Sequence, residues 1–424
     1  MVWGVKRAGV TDLIDKIRAG NTKNMYVLQT RTVSSADAIS LAAALETDAV
    51  LEEFYLSGHE IDAAAIAAFA NVLAKNQVLQ KLAVGTSKLG DAGVTLLANG
   101  LAQNPSSGLM EWDMEYKGIG NSGAEAMGAM FAVNKNIRRV NLARNGFDGA
   151  GLDAIVSGLH ASQSVQILDL HDSELTLSHT SAVSDFLCDP KCALETLFLT
   201  GNPLGDSAAS LCAAIGVNTS LKKLHLDQCS LSEAALVALG DALATNQSLE
   251  HLDLSHNQLS AASVAALSRG LQQNRTLKHI VLGQTKLTDA WALELSSSLH
   301  VTSLDVSGNA LTQTSLVALV QVPSLRELRL FNNALQDGID AVVPPLVANK
   351  TLKTLDVGAN GLHEARAAAL FSALHGHSSL ETLEMGGNNL GDVGFTALQA
   401  LQEANPRLDV AMDKGAGGGA NDDN

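Results

Sequence analysis

His251, Asp253 and His256 fall within six positions of one segment, LEHLDLSHNQL, residues 249–259. Imidazole nitrogens and carboxylate oxygens are ligands for zinc-class ions, and imidazole also exchanges protons near neutrality. Two other constellations invite a chemical reading. Cys188-x3-Cys192 has His179 nearby, and Gly118-Ile-Gly120-Asn-Ser-Gly123 spells the glycine pattern of a dinucleotide loop. Whether any of these is a site depends on whether its residues are singular in the chain.

They are not singular. Aligned on their first leucine, residues 194–204 read LETLFLTGNPL, 221–231 LKKLHLDQCSL, 249–259 LEHLDLSHNQL, 352–362 LKTLDVGANGL and 380–390 LETLEMGGNNL. The pattern LxxLxLxxNxL restarts every 27–29 residues over most of the chain. About thirteen units lie between Leu51 and Asn405, with a degenerate one near Tyr26 and Leu28. The units starting at Leu277 and Val301 are about four residues shorter. Repetition removes most of the motifs. LGDAG at 89–93 and LGDVG at 390–394 fill the same slot as the glycine pattern, so that pattern is part of the repeat. The sequons at Asn218, Asn246, Asn274 and Asn349 also share one slot and are predicted to carry no sugar.

The sequence resembles leucine-rich repeat proteins of the ribonuclease-inhibitor type over roughly nine-tenths of its length. The resemblance implies an α/β horseshoe, with parallel strands on the concave face and helices on the convex face. The residues agree with it independently. Leu252 and Leu254 alternate as a half-buried strand requires, and Val264, Leu267 and Leu271 recur at helical spacing. Ser232, Ser260 and Thr288 are placed as helix N-caps. Asn145, Asn202, Asn257, Asn309, Asn333, Asn360 and Asn388 follow the strands, where an amide can satisfy turn backbone; Cys229 and Thr285 stand in for it. Strands stack at about 4.8 Å and helices at about 8–10 Å, so each unit is predicted to rotate by roughly 20–25°.

Residues 1–22 are predicted to hold a capping helix started by Thr11, 23–405 the solenoid, 406–413 a last cap strand and 414–424 a disordered Gly-rich tail. Aromatics are 4% of the 424 residues and net charge is −16, which argues against nucleic acid or anionic lipid as partners. Four scattered cysteines and no apolar leader or span predict a cytoplasmic protein without membrane insertion.

In LxxLxLxx the third, fifth, seventh and eighth positions should face the concave side. That exposes Tyr55, Glu111, Asp113, Glu115, Tyr116, Asp169, Phe198, His225, His251, Asp253, His279, Asp305, Arg329 and Phe331 as a protein-binding surface. Acidic residues outnumber basic ones there, so a basic protein partner is predicted. His251 and His279 should lie at one level on adjacent strands and titrate near neutrality. Parallel side chains converge poorly, so neither a metal site nor another cofactor is predicted. No nucleophile–base–orienter set is visible, and the expected function is non-catalytic scaffolding. The resemblance allows a subunit of a large cytoskeletal or ciliary assembly. It also allows an activator similar to Ran GTPase-activating proteins, although the tail NDDN is far from that family's long acidic tail.

Overall fold

The computed structural model describes residues 7–176 and 180–412 and divides into two compact units, one ending at Ala214 and one starting at Ile215. His179 and the Gly-rich tail lie outside the described residues. In the first unit, strands Asn24–Tyr26, Glu53–Ser57, Lys81–Gly85, Glu111–Asp113, Arg139–Asn141, Ile167–Asp169 and Thr196–Phe198 pair in parallel, in chain order. In the second, Lys223–His225, His251–Asp253, His279–Val281, Ser303–Asp305, Glu327–Arg329, Thr354–Asp356, Thr382–Glu384 and Asp409–Ala411 do the same. A helix follows almost every strand, and helices of successive repeats pack on one another. Each unit is thus an α/β solenoid, one strand per leucine-rich segment.

The leucine spacing produces this directly. In most three-residue strands the middle side chain is buried and the outer two are partly exposed. Leu249, Leu252 and Leu254 are each 0% exposed, and Val264 and Leu267 of the following helix Ala261–Gln273 close over them. Each such leucine contributes roughly 1.5–3 kcal/mol. The expected caps form: the hydroxyls of Ser232, Ser260 and Thr288 accept from the backbone N–H of Ala235, Ser263 and Trp291. Thr11 is different. Helix Thr11–Arg18 already contains it, and Val10 precedes the helix without a side-chain cap. The polar contact there comes from Arg31, whose guanidinium grips both oxygens of Asp12 at 2.7 and 2.9 Å. The short repeats lose helix and keep strand. Strands His279–Val281 and Ser303–Asp305 are followed by helices Asp289–Ser296 and Gln313–Leu319, of 8 and 7 residues, against 13 in Ala261–Gln273.

The strand-exit asparagines stitch repeats together. Asn257 donates through Nδ2 to the carbonyl oxygens of Leu226 and Leu254 at 2.7 and 3.0 Å, and its Oδ1 accepts from Leu231 N–H at 2.9 Å. Asn145, Asn202 and Asn309 make the same set. The Thr285 hydroxyl bonds Leu282 O and Asn309 Oδ1, and Cys229 donates to Asp227 O. A second ladder runs along the helix ends. Asn246 Nδ2 donates to Ile215 O at 2.7 Å while its Oδ1 accepts from Leu249 N–H, and Asn274 repeats this. These sequon asparagines are buried and their amides are used, so the sequons are repeat grammar.

His377 occupies an asparagine slot of this second ladder. Its Nε2 lies 2.9 Å from Leu346 O and its Nδ1 accepts from Leu380 N–H at 3.0 Å. Only the neutral Nε2–H tautomer fits both bonds, and burial pushes the imidazole pKa down. A lowered folded-state pKa adds stability that is complete above about 6.5 and is lost as pH falls below it. The variant His377→Asn is therefore expected to match the parent within about 1 kcal/mol at pH 8 and to exceed it at pH 5 in urea unfolding. An equal loss at both pH values would contradict this assignment.

Candidate interaction face of the sheet

Side chains on the sheet face opposite the helices form rows, because parallel strands keep their register. In the first unit one row reads Asn24, Glu53, Lys81, Glu111, Arg139, and the next reads Tyr26, Tyr55, Ala83. Charges alternate along the first row. Lys81 Nζ lies 3.5 Å from Glu53 and 3.2 Å from Glu111. Arg144 bridges Glu115 at 3.0 Å and Asp172 at 3.3 Å. Asp169 accepts from the His171 ring at 2.8 Å, a bond that raises the His171 pKa. Burial raises the Asp113 carboxyl, and burial lowers Lys117, whose Nζ donates to Ser57 Oγ and Gly85 O at 3.2 Å each. The Glu111–Asp113–Glu115 cluster is thus interleaved with cations from neighbouring repeats.

Aromatic side chains remain on display. Tyr55 stacks on Tyr26 with ring centroids 4.7 Å apart and planes 7° from parallel. Tyr26 is 56% exposed and donates to Glu53 at 2.9 Å. Burial, then Glu53, pushes Tyr55 up to about 12, so its hydroxyl keeps its proton. Tyr116 is 62% exposed in the turn after its strand, and Phe198 is half-buried at a strand end. Sequence reasoning placed Tyr55 but omitted Tyr26 and Lys117. Aligning NMY, 24–26, with EFY, 53–55, would have paired the tyrosines.

The second unit has a different face. One row runs Lys223, His251, His279, Ser303, Glu327, and the next runs His225, Asp253, Val281, Asp305, Arg329, Asp356, Glu384. Arg329 turns aside to Glu327 at 2.6 Å. Among the described residues, Asp253, Asp305, Asp356 and Glu384 have no Lys or Arg at ion-pair distance. Phe331 stands half-buried beyond the end of Arg329's strand. The aspartates have a structural role as well. Asp253, Asp305 and Asp356 each accept the backbone N–H two residues on, at 2.8 Å, which holds the strand exit. Burial, then like-charged neighbours, pushes Asp253 and Asp356 up to about 6.

His225, His251 and His279 form a ladder with centroids 5.0 and 5.9 Å apart. Burial, then His225 and His279, lowers His251 to about 4, so this histidine does not titrate near neutrality as its type suggests. The opening trio does not converge, since His256 is exposed in a left-handed turn at φ 58°. A different trio does. Ligating atoms of His225, Asp227 and Asp253 lie within 4.8 Å of one another. Asp227 sits beyond its strand, so it escapes the parallel alignment on which the expectation of poor convergence rested.

The family model described as Leucine Rich repeat matches residues 133–156, 245–268, 297–320 and 376–398. No curated protein sequence matches the chain. Among solved structures the chain is similar to the mouse RP105/MD-1 complex, at 15% identity and TM-score 0.50, over 91% of this chain and 58% of that chain. It is also similar to the yeast Rad7 and Elc1 complex, at 17% identity and TM-score 0.47, over 78% and 85% of the two chains. An internalin from Listeria monocytogenes matches at 18% identity and TM-score 0.40, over 68% and 82%. At these identities the likeness is one of fold. No helix among the described residues is long and apolar enough to cross a membrane.

Proposed function

Because the chain is a leucine-rich repeat protein, we propose that it is a non-catalytic scaffold that binds a basic protein on the open face of its sheet. The subtype proposed is that of ribonuclease inhibitor, and the setting is the cytoplasm, within a larger cytoskeletal or ciliary assembly. One observation carries the reading: Asp253, Asp305, Asp356 and Glu384 stand in one row of the second unit without an ion-paired Lys or Arg among the described residues. Crowded carboxylates on a sheet repel one another, and a basic partner relieves that repulsion. In the first unit the Tyr26–Tyr55 stack supplies rigid aromatic area of the kind that anchors interfaces. RP105 is described in complex with MD-1, which agrees with this reading.

Affinity capture with the full chain tests it. The pair Asp305→Lys and Glu384→Lys is expected to lower recovery of the principal partner by about tenfold or more and to flatten its salt dependence. Tyr55→Ser is expected to weaken recovery by a comparable factor. Glu233→Lys, exposed on a helix, should leave recovery unchanged. Loss with Glu233→Lys alone, or acceleration of GTP hydrolysis by a small GTPase, would displace the proposal.

A further inference from the structure

We propose that His225, Asp227 and Asp253 form a site for one divalent ion of the zinc class. His225 and Asp253 are register partners on adjacent strands, and Asp227 follows His225 by two residues in the turn. The three ligating atoms lie within 4.8 Å of one another. Tetrahedral bonds of about 2.0–2.1 Å require separations near ~3.3 Å, so the three atoms would close by no more than about 1.5 Å on binding. Asp253 is already oriented: its Oδ1 accepts from Ser255 N–H at 2.8 Å and from the Ser255 hydroxyl, and Oδ2 has no hydrogen-bond partner among the described residues. That is the support a ligating carboxylate needs. His251 stands beside His225, with ring centroids 5.0 Å apart, but is not among the three residues whose ligating atoms converge.

The donor set selects the ion. One imidazole and two carboxylates suit zinc and its first-row neighbours, whereas calcium takes six to eight oxygens and magnesium holds a near-octahedral oxygen shell. Three protein ligands leave a coordination position for water or for an incoming side chain. The ion would also lower the negative charge at this end of the acidic row. The site stands whether or not the partner proposed above is correct.

Isothermal titration of the chelator-treated full chain with zinc chloride at pH 7.5 tests the proposal. One saturable equivalent is expected. Asp253→Asn, which keeps an oxygen to accept from Ser255, and His225→Gln should each weaken binding by about tenfold or more. His256→Ala should leave it unchanged, and magnesium or calcium chloride should give no heat. Absence of saturable zinc binding, or affinity in Asp253→Asn and His225→Gln equal to that of the parent chain, overturns the proposal. Should both variants unfold, the parent chain decides. Zinc is expected to protect His225 from carbethoxylation while the exposed His300 and His363 still react; equal modification of all three overturns the site.

Discussion

Asn257→Ala is expected to destabilise the second unit by about 3–5 kcal/mol. The residue is 1% exposed, and its amide satisfies Leu226 O, Leu254 O and Leu231 N–H together. Alanine leaves those three backbone groups in a place where water cannot replace the amide, and each such group costs about 1–3 kcal/mol. The loss crosses a repeat boundary, because Leu226 and Leu231 belong to the preceding repeat. Cooperativity between neighbouring repeats should fall with stability, giving a broader urea transition. Gln258→Ala, exposed beside it, is expected to change stability by less than about 0.5 kcal/mol. A shift below about 1 kcal/mol for Asn257→Ala would show that the asparagine ladder does not join the repeats.

Gly270→Val is expected to cost roughly 3 kcal/mol through the helix layer. A Cβ at Gly270 would lie 2.1 Å from Gly240 O, in the neighbouring helix Glu233–Leu243. The obstructing atom is backbone, so the helices must separate. Alanine is better than glycine in a helix by about 1 kcal/mol, yet Gly270→Ala should still destabilise, since its Cβ meets the same oxygen. Gly376→Ala is the control, with nothing within 4 Å of the added carbon. Thermal unfolding separates the cases: a rise in midpoint for Gly270→Ala would mean that the close helix approach does not exist.

Most of the repeat architecture was legible because it is written many times. Leu252 and Leu254 define a strand and its buried side, and thirteen copies of that signal outweigh the ambiguity of one. Asn257 and the caps Ser232, Ser260 and Thr288 were legible for the same reason. Single departures were not. His377 looks like a surface histidine until its two ring nitrogens are placed on Leu346 and Leu380. Thr11 has the right chemistry for a cap, but the helix already begins at that residue.

The chemistry of the face was harder to read because it depends on cross-strand register. Sequence proximity made Glu111, Asp113 and Glu115 look like an acidic patch. Lys81 and Arg144, which bridge Glu111 and Glu115, come from the preceding and following repeats. Asp305 and Glu384, nearly eighty residues apart, share one row that no local window contains. The LDL aspartates carry a signal common to the repeat, yet their work as strand-exit acceptors is visible only in the backbone. The His225–Asp227–Asp253 cluster combines both difficulties, joining two repeats and a turn.

Hydroxyl-radical footprinting of the full chain, free and with its captured partner, tests the central claim most directly. In the free chain Tyr26, Tyr55 and Phe331 should react while the buried Phe54, Phe69 and Phe371 stay protected. On partner binding, the account predicts that Tyr26, Tyr55 or Phe331 loses reactivity while Phe395, exposed on helix Gly391–Ala404, keeps it. Protection confined to the helix side, with the three sheet-face aromatics reacting as before, would contradict it.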